Sequence, residues 1–117
     1  MAEHGMRLLK VHFEKIASGE KTVEMRLMDE KRQNIRAGDL IIFTCEEEPL
    51  RQVTVEVVSI RAFADFASLA ECCGVRAVGF DGADANTVGS YMKGIYGEEA
   101  LQRYGAAAIE VRLLSEK

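Results

Sequence analysis

The apolar positions of this chain recur with two periods, and the switches between them mark out its elements. Thr22–Leu27 alternates strictly, with Val23, Met25 and Leu27 on one face and Thr22, Glu24 and Arg26 on the other. A period of two predicts a strand with one face turned to the interior. Met6–Val11 alternates more loosely and also reads as a strand. Leu40–Thr44, entered through an Ala37–Gly38–Asp39 turn, is an apolar run of branched and aromatic residues and reads as another. Gln52–Ala62 is the longest strand candidate. Val53, Val55 and Val57 share a face there, whereas Ile60 and Ala62 fall on the opposite parity. Such a phase flip predicts a bulge or bend, as at the corners of small barrels. Ala107–Leu114 alternates again, with Ile109, Val111 and Leu113 set against Ala108, Glu110 and Arg112.

The segments between these runs carry the longer period. Phe13–Ser18 places Phe13, Ile16 and Ala17 at helical spacing, and Gly19 stands where a helix ends. Asp29–Asn34 reads as a turn or a single helical turn. Asp65–Cys72 puts Phe66, Leu69 and Ala70 in one stripe. Gly79–Asn86, reading GFDGADAN, is expected to be a surface loop, and Glu46–Glu48 with Pro49 a hairpin loop. Thr87 reads as the N-cap of a helix through Tyr96, with Val88, Tyr91, Met92 and Ile95 on one side. Glu98–Tyr104 follows as a short helix ended by Gly105; the Tyr96–Glu98–Glu99 end can approach a ligand, although Tyr96 and Tyr104 are more often core and cap residues. The order is strand, helix, several strands, helices, final strand. That is α+β rather than the regular alternation of a parallel doubly wound sheet. Five strands with a phase flip imply a strongly bent or closed sheet with helices over its ends.

Length and charge narrow the possibilities. The 117 residues suit one domain spanning 1–117, large enough to fold without disulfides or structural metal. The net charge of −4 argues against a non-specific nucleic-acid coat, which needs many Lys and Arg to displace counterions. The charge is unevenly spread. Residues 1–36 hold eight basic and six acidic side chains, and residues 37–117 seven and thirteen. Positive charge is thus concentrated early. Cys45, Cys72 and Cys73 are odd in number and lack CxxC spacing, which suits a reducing compartment and hence the cytoplasm. No apolar run is long enough for a membrane span. His4 is expected to be terminal and mobile. His12 has no second histidine nearby, so no metal site and no cofactor are expected.

The densest chemistry lies in Gly19–Arg26, reading GEKTVEMR. Lys21, Thr22, Glu24 and Arg26 are its polar functions. On one strand face, Glu24 and Arg26 can bind each other or a shared ligand. Arg presents a planar fork of donors suited to phosphate or a base edge, and Glu accepts from an amine or hydroxyl. Lys21 has the opposite parity and reaches the same mouth if the Gly19 turn swings it there. Arg32, from the DEKR turn, completes the candidate binding set, and Arg7, Lys10 and Arg36 are candidates for a basic rim. Periodicity alone reads the Thr22/Glu24/Arg26 face as a solvated strand face with an internal salt bridge.

Phe13 to Phe43, FEKIASGEKTVEMRLMDEKRQNIRAGDLIIF, resembles the ASCH domain, a branch of the PUA-like superfamily. The family pattern G-x-K-x-x-E-x-R after a short helix, then a G-D turn before an apolar strand, is matched by Gly19, Lys21, Glu24, Arg26, Gly38 and Asp39. Ile95 to Leu114 is similar to the closing helix, Tyr-Gly turn and strand of small prokaryotic members. The resemblance implies a PUA-like small β-barrel of about five to six strands with flanking short helices. It also implies a cleft lined by Lys21, Glu24 and Arg26 that takes RNA or a nucleotide-like small ligand. One bacterial branch removes the acetyl group of N4-acetylcytidine with the motif Lys, a Thr nucleophile and a downstream Glu. Lys21 matches that Lys, but Glu24 stands where the Thr would be, and Glu71 is a weak match for the downstream acid. As an enzyme, the chain would use Lys21 and Glu24 as catalytic groups, Glu24 activating water. A third reading makes the motif a staple between strand and helix in an interaction module.

Overall fold

The computed structural model describes residues 1–116. Its elements are β1 (Glu3–Leu8), α1 (Lys10–Ala17), β2 (Val23–Leu27), α2 (Glu30–Gln33), β3 (Leu40–Cys45), β4 (Gln52–Phe63), α3 (Phe66–Cys73), α4 (Ala85–Tyr96), α5 (Glu98–Tyr104) and β5 (Ala106–Glu116). The five strands form one sheet in the order β1-β3-β4-β5-β2, curled into a half-barrel. β1 runs parallel to β3, and the other neighbours are antiparallel. The fold is α+β. Among the described residues no helix is long and apolar enough to cross a membrane.

The curl originates in β4. Its ladder with β5 shifts register between Thr54 and Val55 and again between Val57 and Ser59, where Val58 turns outward. The second shift is the phase flip read in the sequence. It switches the parity that faces each core: Val53, Val55 and Val57 and then Ile60 belong to the core with α1, whereas Phe63 on the other face packs with α3–α5. β5 lies between β4 and β2, and its first four residues, Ala106–Ile109, are buried on both faces. Ala107, Ile109 and Val111 face the first core, Ala106 and Ala108 the second. Small residues there let both layers approach the sheet.

Several local expectations shift. β1 starts at Glu3 and ends at Leu8, because Lys10 and Val11 are taken into α1. His4 is therefore a strand residue, not a mobile terminus. Its Nε2 lies 2.9 Å from Asp39 Oδ2, and Asp39 also accepts the backbone N–H groups of Ala2 and Arg36. Those hydrogen bonds, His4's first, hold the Asp39 carboxyl down at about 2. α4 starts at Ala85, so the 79–86 loop is shorter than expected. Its N-cap is Asp84, and Thr87 donates its N–H to that carboxylate at 2.7 Å. A carboxylate accepts from the third helical residue as a hydroxyl would, and it also complements the helix dipole.

α3 and α4 meet at Gly89. A Cβ there would lie 2.7 Å from Ala67 Cβ and 3.0 Å from Ala67 N. Gly89→Ala gains about 1 kcal/mol of helix propensity but forces two helices apart, an overpacking cost of about 1–3 kcal/mol. Urea denaturation of G89A is expected to show a lower midpoint; a higher one would mean the helices yield freely.

Candidate functional site

Lys21, Glu24 and Arg26 meet in one ion cluster. Glu24 Oε1 accepts from Lys21 Nζ at 2.8 Å, and Oε2 accepts from Arg26 Nε at 2.7 Å. Lys21 is 4% exposed and Glu24 3%. The face expected to be solvated is thus enclosed at Glu24, where residues of α1 and α4 stand over it. Arg26 also donates from Nη2 to the Arg7 carbonyl at 2.9 Å. One side chain therefore spans from edge strand β2 to edge strand β1.

Lys21 escapes strand parity because it precedes the strand. Its N–H donates to Lys15 O, and the N–H groups of Thr22 and Val23 both donate to Ala77 O. The chain turns a corner there, and alternation begins only at Val23. Thr22 is carried away by the same corner. It is exposed and lines a separate hollow with Ser59, Arg61 and Cys73, so the structure does not bring it to the cluster. The Lys21 stem is covered by Gly79, where a Cβ would come within 2.9 Å of Lys21 Cδ. Gly79 also adopts φ +96°, a backbone region that favours glycine, and its carbonyl accepts from Lys15 Nζ at 2.8 Å.

Above the cluster opens a cleft of ≈ 220 Å³. His12 of α1, Phe80 of the preceding loop, and Tyr91 and Tyr96 of α4 form its walls. His12 Nδ1 lies 3.5 Å from Lys21 Nζ. The rings of His12 and Phe80 are 5.6 Å apart, and those of Phe80 and Tyr91 5.3 Å. Leu9, Tyr91 and Ile95 form a half-exposed apolar lip. These residues were not legible as a site: His12 read as isolated, Phe80 as loop and Tyr96 more often as core. An aromatic inside a Gly/Asp-rich loop was the one available signal.

The electrostatics follow from burial. Burial alone pushes the Glu24 carboxyl up, but the charges of Lys21 and Arg26 and their hydrogen bonds outweigh it, and the group falls to about 2. Burial, then the Lys21 charge, lowers His12 to about 4, so its ring is neutral near pH 7. The Tyr96 hydroxyl is pushed up, chiefly by burial.

Arg32 lies outside this cleft. It pairs with Asp29 at 3.3 Å and lines a neighbouring hollow of ≈ 480 Å³ with Arg7, Arg26 and Lys31. Lys10 pairs with Glu48 instead, and Arg36 borders neither hollow. Glu71 is exposed on α3 and also borders neither. A hollow of ≈ 420 Å³ lies between α3, α4 and α5, but its charged groups are surface ones such as Lys93 and Glu98, which pair with each other. Among the described residues no three His, Cys, Asp or Glu side chains come together as metal ligands.

The family model of the ASCH domain matches residues 6–115. This chain belongs to the ASCH domain family. The crystal structure of the hypothetical protein PH0355 is similar to it with a TM-score of 0.85 at 32% identity, covering 96% of this chain and 99% of that one. The solution NMR structure of protein PF0455 from Pyrococcus furiosus gives 0.77 at 31% identity, covering 97% and 98%. Protein EF3133 from Enterococcus faecalis V583 shares the fold at a TM-score of 0.68 with 12% identity, over 100% of this chain and 83% of that one. No curated protein matches the chain.

Replacing Glu24 leaves two cations buried without their carboxylate. Glu24→Gln is expected to lose about 3–5 kcal/mol in chemical denaturation. Because the folded pKa lies below the ordinary 4.5, the stabilisation is present above pH 4.5 and lost as pH falls towards 2. The variant's stability should therefore fall less steeply than wild type across that window. Parallel curves would place the carboxylate's charge outside the stabilising cluster.

Proposed function

We propose that this ASCH-domain protein binds RNA or a nucleotide-like ligand by taking a single base into the cleft above Lys21, Glu24 and Arg26. The observation that carries the reading is a charged hydrogen-bonding floor, with Lys21 and Glu24 buried and Arg26 partly so, beneath aromatic walls. Burying an ion pair rarely gains stability over well-packed apolar residues, so a buried cluster opening into a cleft points to recognition.

The chemistry suits a base. Lys21 and Arg26 donate to ring nitrogens or carbonyl oxygens. Glu24 offers about four lone-pair directions; the two protein bonds leave others for an exocyclic amine. Phe80 and Tyr91 offer faces on which a base can stack. A volume of ≈ 220 Å³ lies below the roughly 300–1,000 Å³ of drug-sized ligand sites, so the cleft fits about one base rather than a run of them.

The competing reading is hydrolysis of an acylated nucleoside such as N4-acetylcytidine. There Glu24 would activate water and Lys21 would hold the oxyanion. Glu24 would have to accept a proton near neutral pH, and a carboxyl held at about 2 by two cations does so poorly. Binding is accordingly the better supported of the two.

Tyr91 is half-exposed and can be truncated without emptying a core. Tyr91→Ala is expected to weaken binding of short single-stranded RNA about 5- to 100-fold, the worth of one base–aromatic stack, with an unchanged melting temperature. Titration of both proteins by fluorescence anisotropy reads this directly. Equal affinities would remove Tyr91 from the contact surface.

A further inference from the structure

The cleft has a neighbour that its own chemistry does not require. Arg7, Arg26 and Glu46 line both the cleft and the ≈ 480 Å³ hollow, so the two share a wall. Beyond that wall stand Lys31 and Arg32. They come from α2, a single helical turn that contributes no apolar residue to either core, so hydrophobic packing does not account for their placement.

The charges here are incompletely neutralised. Glu24 is shared by Lys21 and Arg26, Glu46 faces Arg7 at 3.5 Å, and Asp29 faces Arg32 at 3.3 Å. Lys31 has no ionic partner among the described residues. Five cations against three carboxylates leave a local excess of two positive charges in a chain of net −4. Donor capacity is spare as well. Arg26 uses Nε and Nη2, leaving Nη1 without a protein acceptor among the described residues. Arg32 Nε is enclosed without an acceptor. Arg7 is largely exposed.

We propose that this hollow is the phosphate subsite of the ligand whose base occupies the cleft, with Arg7, Arg26, Lys31 and Arg32 receiving the phosphate. Planar guanidinium forks match phosphate oxygens in pairs, and Lys31 adds a mobile point charge. Arg26, common to both hollows, marks the join between nucleoside and phosphate. The inference rests on the base-binding reading of the cleft. The phosphate has two possible sources, a terminal monoester or the bridging diester of an RNA strand.

Calorimetric titration separates these cases. The probes are the four ribonucleosides, their 5′- and 3′-monophosphates, short oligoribonucleotides without terminal phosphate, and inorganic phosphate. A phosphate on the ligand is expected to tighten binding about tenfold or more, as charge-assisted hydrogen bonds do. Gain with monophosphates identifies a terminal group, and gain with unphosphorylated oligomers alone identifies a bridging one; both support the subsite. In Lys31→Gln/Arg32→Gln, which keeps Arg7 and Arg26, most of the gain should be lost while nucleoside affinity holds. The single variant Lys31→Glu, at an exposed position, should reduce the gain and guards against a folding defect. Equal binding of nucleosides and nucleotides by wild type would overturn the subsite and leave the base cleft standing, as would a gain undiminished in both variants. If nucleosides fail to bind but inorganic phosphate binds wild type and not the variants, the subsite is supported and the base reading fails.

Discussion

A single carboxylate, that of Glu24, constrains the way this fold closes. Held between Lys21 and Arg26 with almost no exposure, it is tolerable only while both cations stay in place. Each cation is in turn fixed by a different part of the chain. Lys21 depends on the corner after α1, where backbone bonds to Lys15 and Ala77 swing it inward, and on Gly79 lying against its stem. Arg26 depends on β1, whose Arg7 carbonyl takes its second donor. The two edges of the half-barrel are therefore joined by a guanidinium rather than by a backbone ladder. The motif joins strand to strand, whereas the third reading of the sequence had it staple strand to helix, and the same cluster forms the floor of a cleft.

That dual role gives the acidic composition a local meaning. A chain of net −4 is a poor general binder of phosphate backbones. Five of its eight early cations, Arg7, Lys21, Arg26, Lys31 and Arg32, nonetheless line the cleft or the hollow beside it. Residues 37–117 carry seven basic and thirteen acidic side chains.

Much of the fold was legible because it depends on local pattern. The alternation around Glu24, the glycine after α1 and the parity flip in β4 each correspond to an observed element or bend. The ASCH motif placed Lys21, Glu24 and Arg26 together before any distance was measured. What remained hidden depends on long-range packing. The partners of Lys21 include His12, nine positions away, and Gly79, on a distant loop. Periodicity marked Thr22 as a neighbour of Glu24, yet the corner at Ala77 removes it. It also marked the Glu24 face as solvated, because alternation reports which residues share a face and not what later covers it. The aromatic walls were missed for the same reason: the loop before α4 must fold back to set Phe80 against Tyr91 of α4 and His12 of α1.

The most direct check is an NMR titration of the isotope-labelled protein with single-stranded oligoribonucleotides, reading backbone and side-chain shifts residue by residue. Shifts should concentrate at His12, Lys21, Phe80 and Tyr91, with the Arg26 guanidinium resonance moving in step. No shifts, or shifts confined to the α3–α5 hollow around Ser90 and Gln102, would contradict the account.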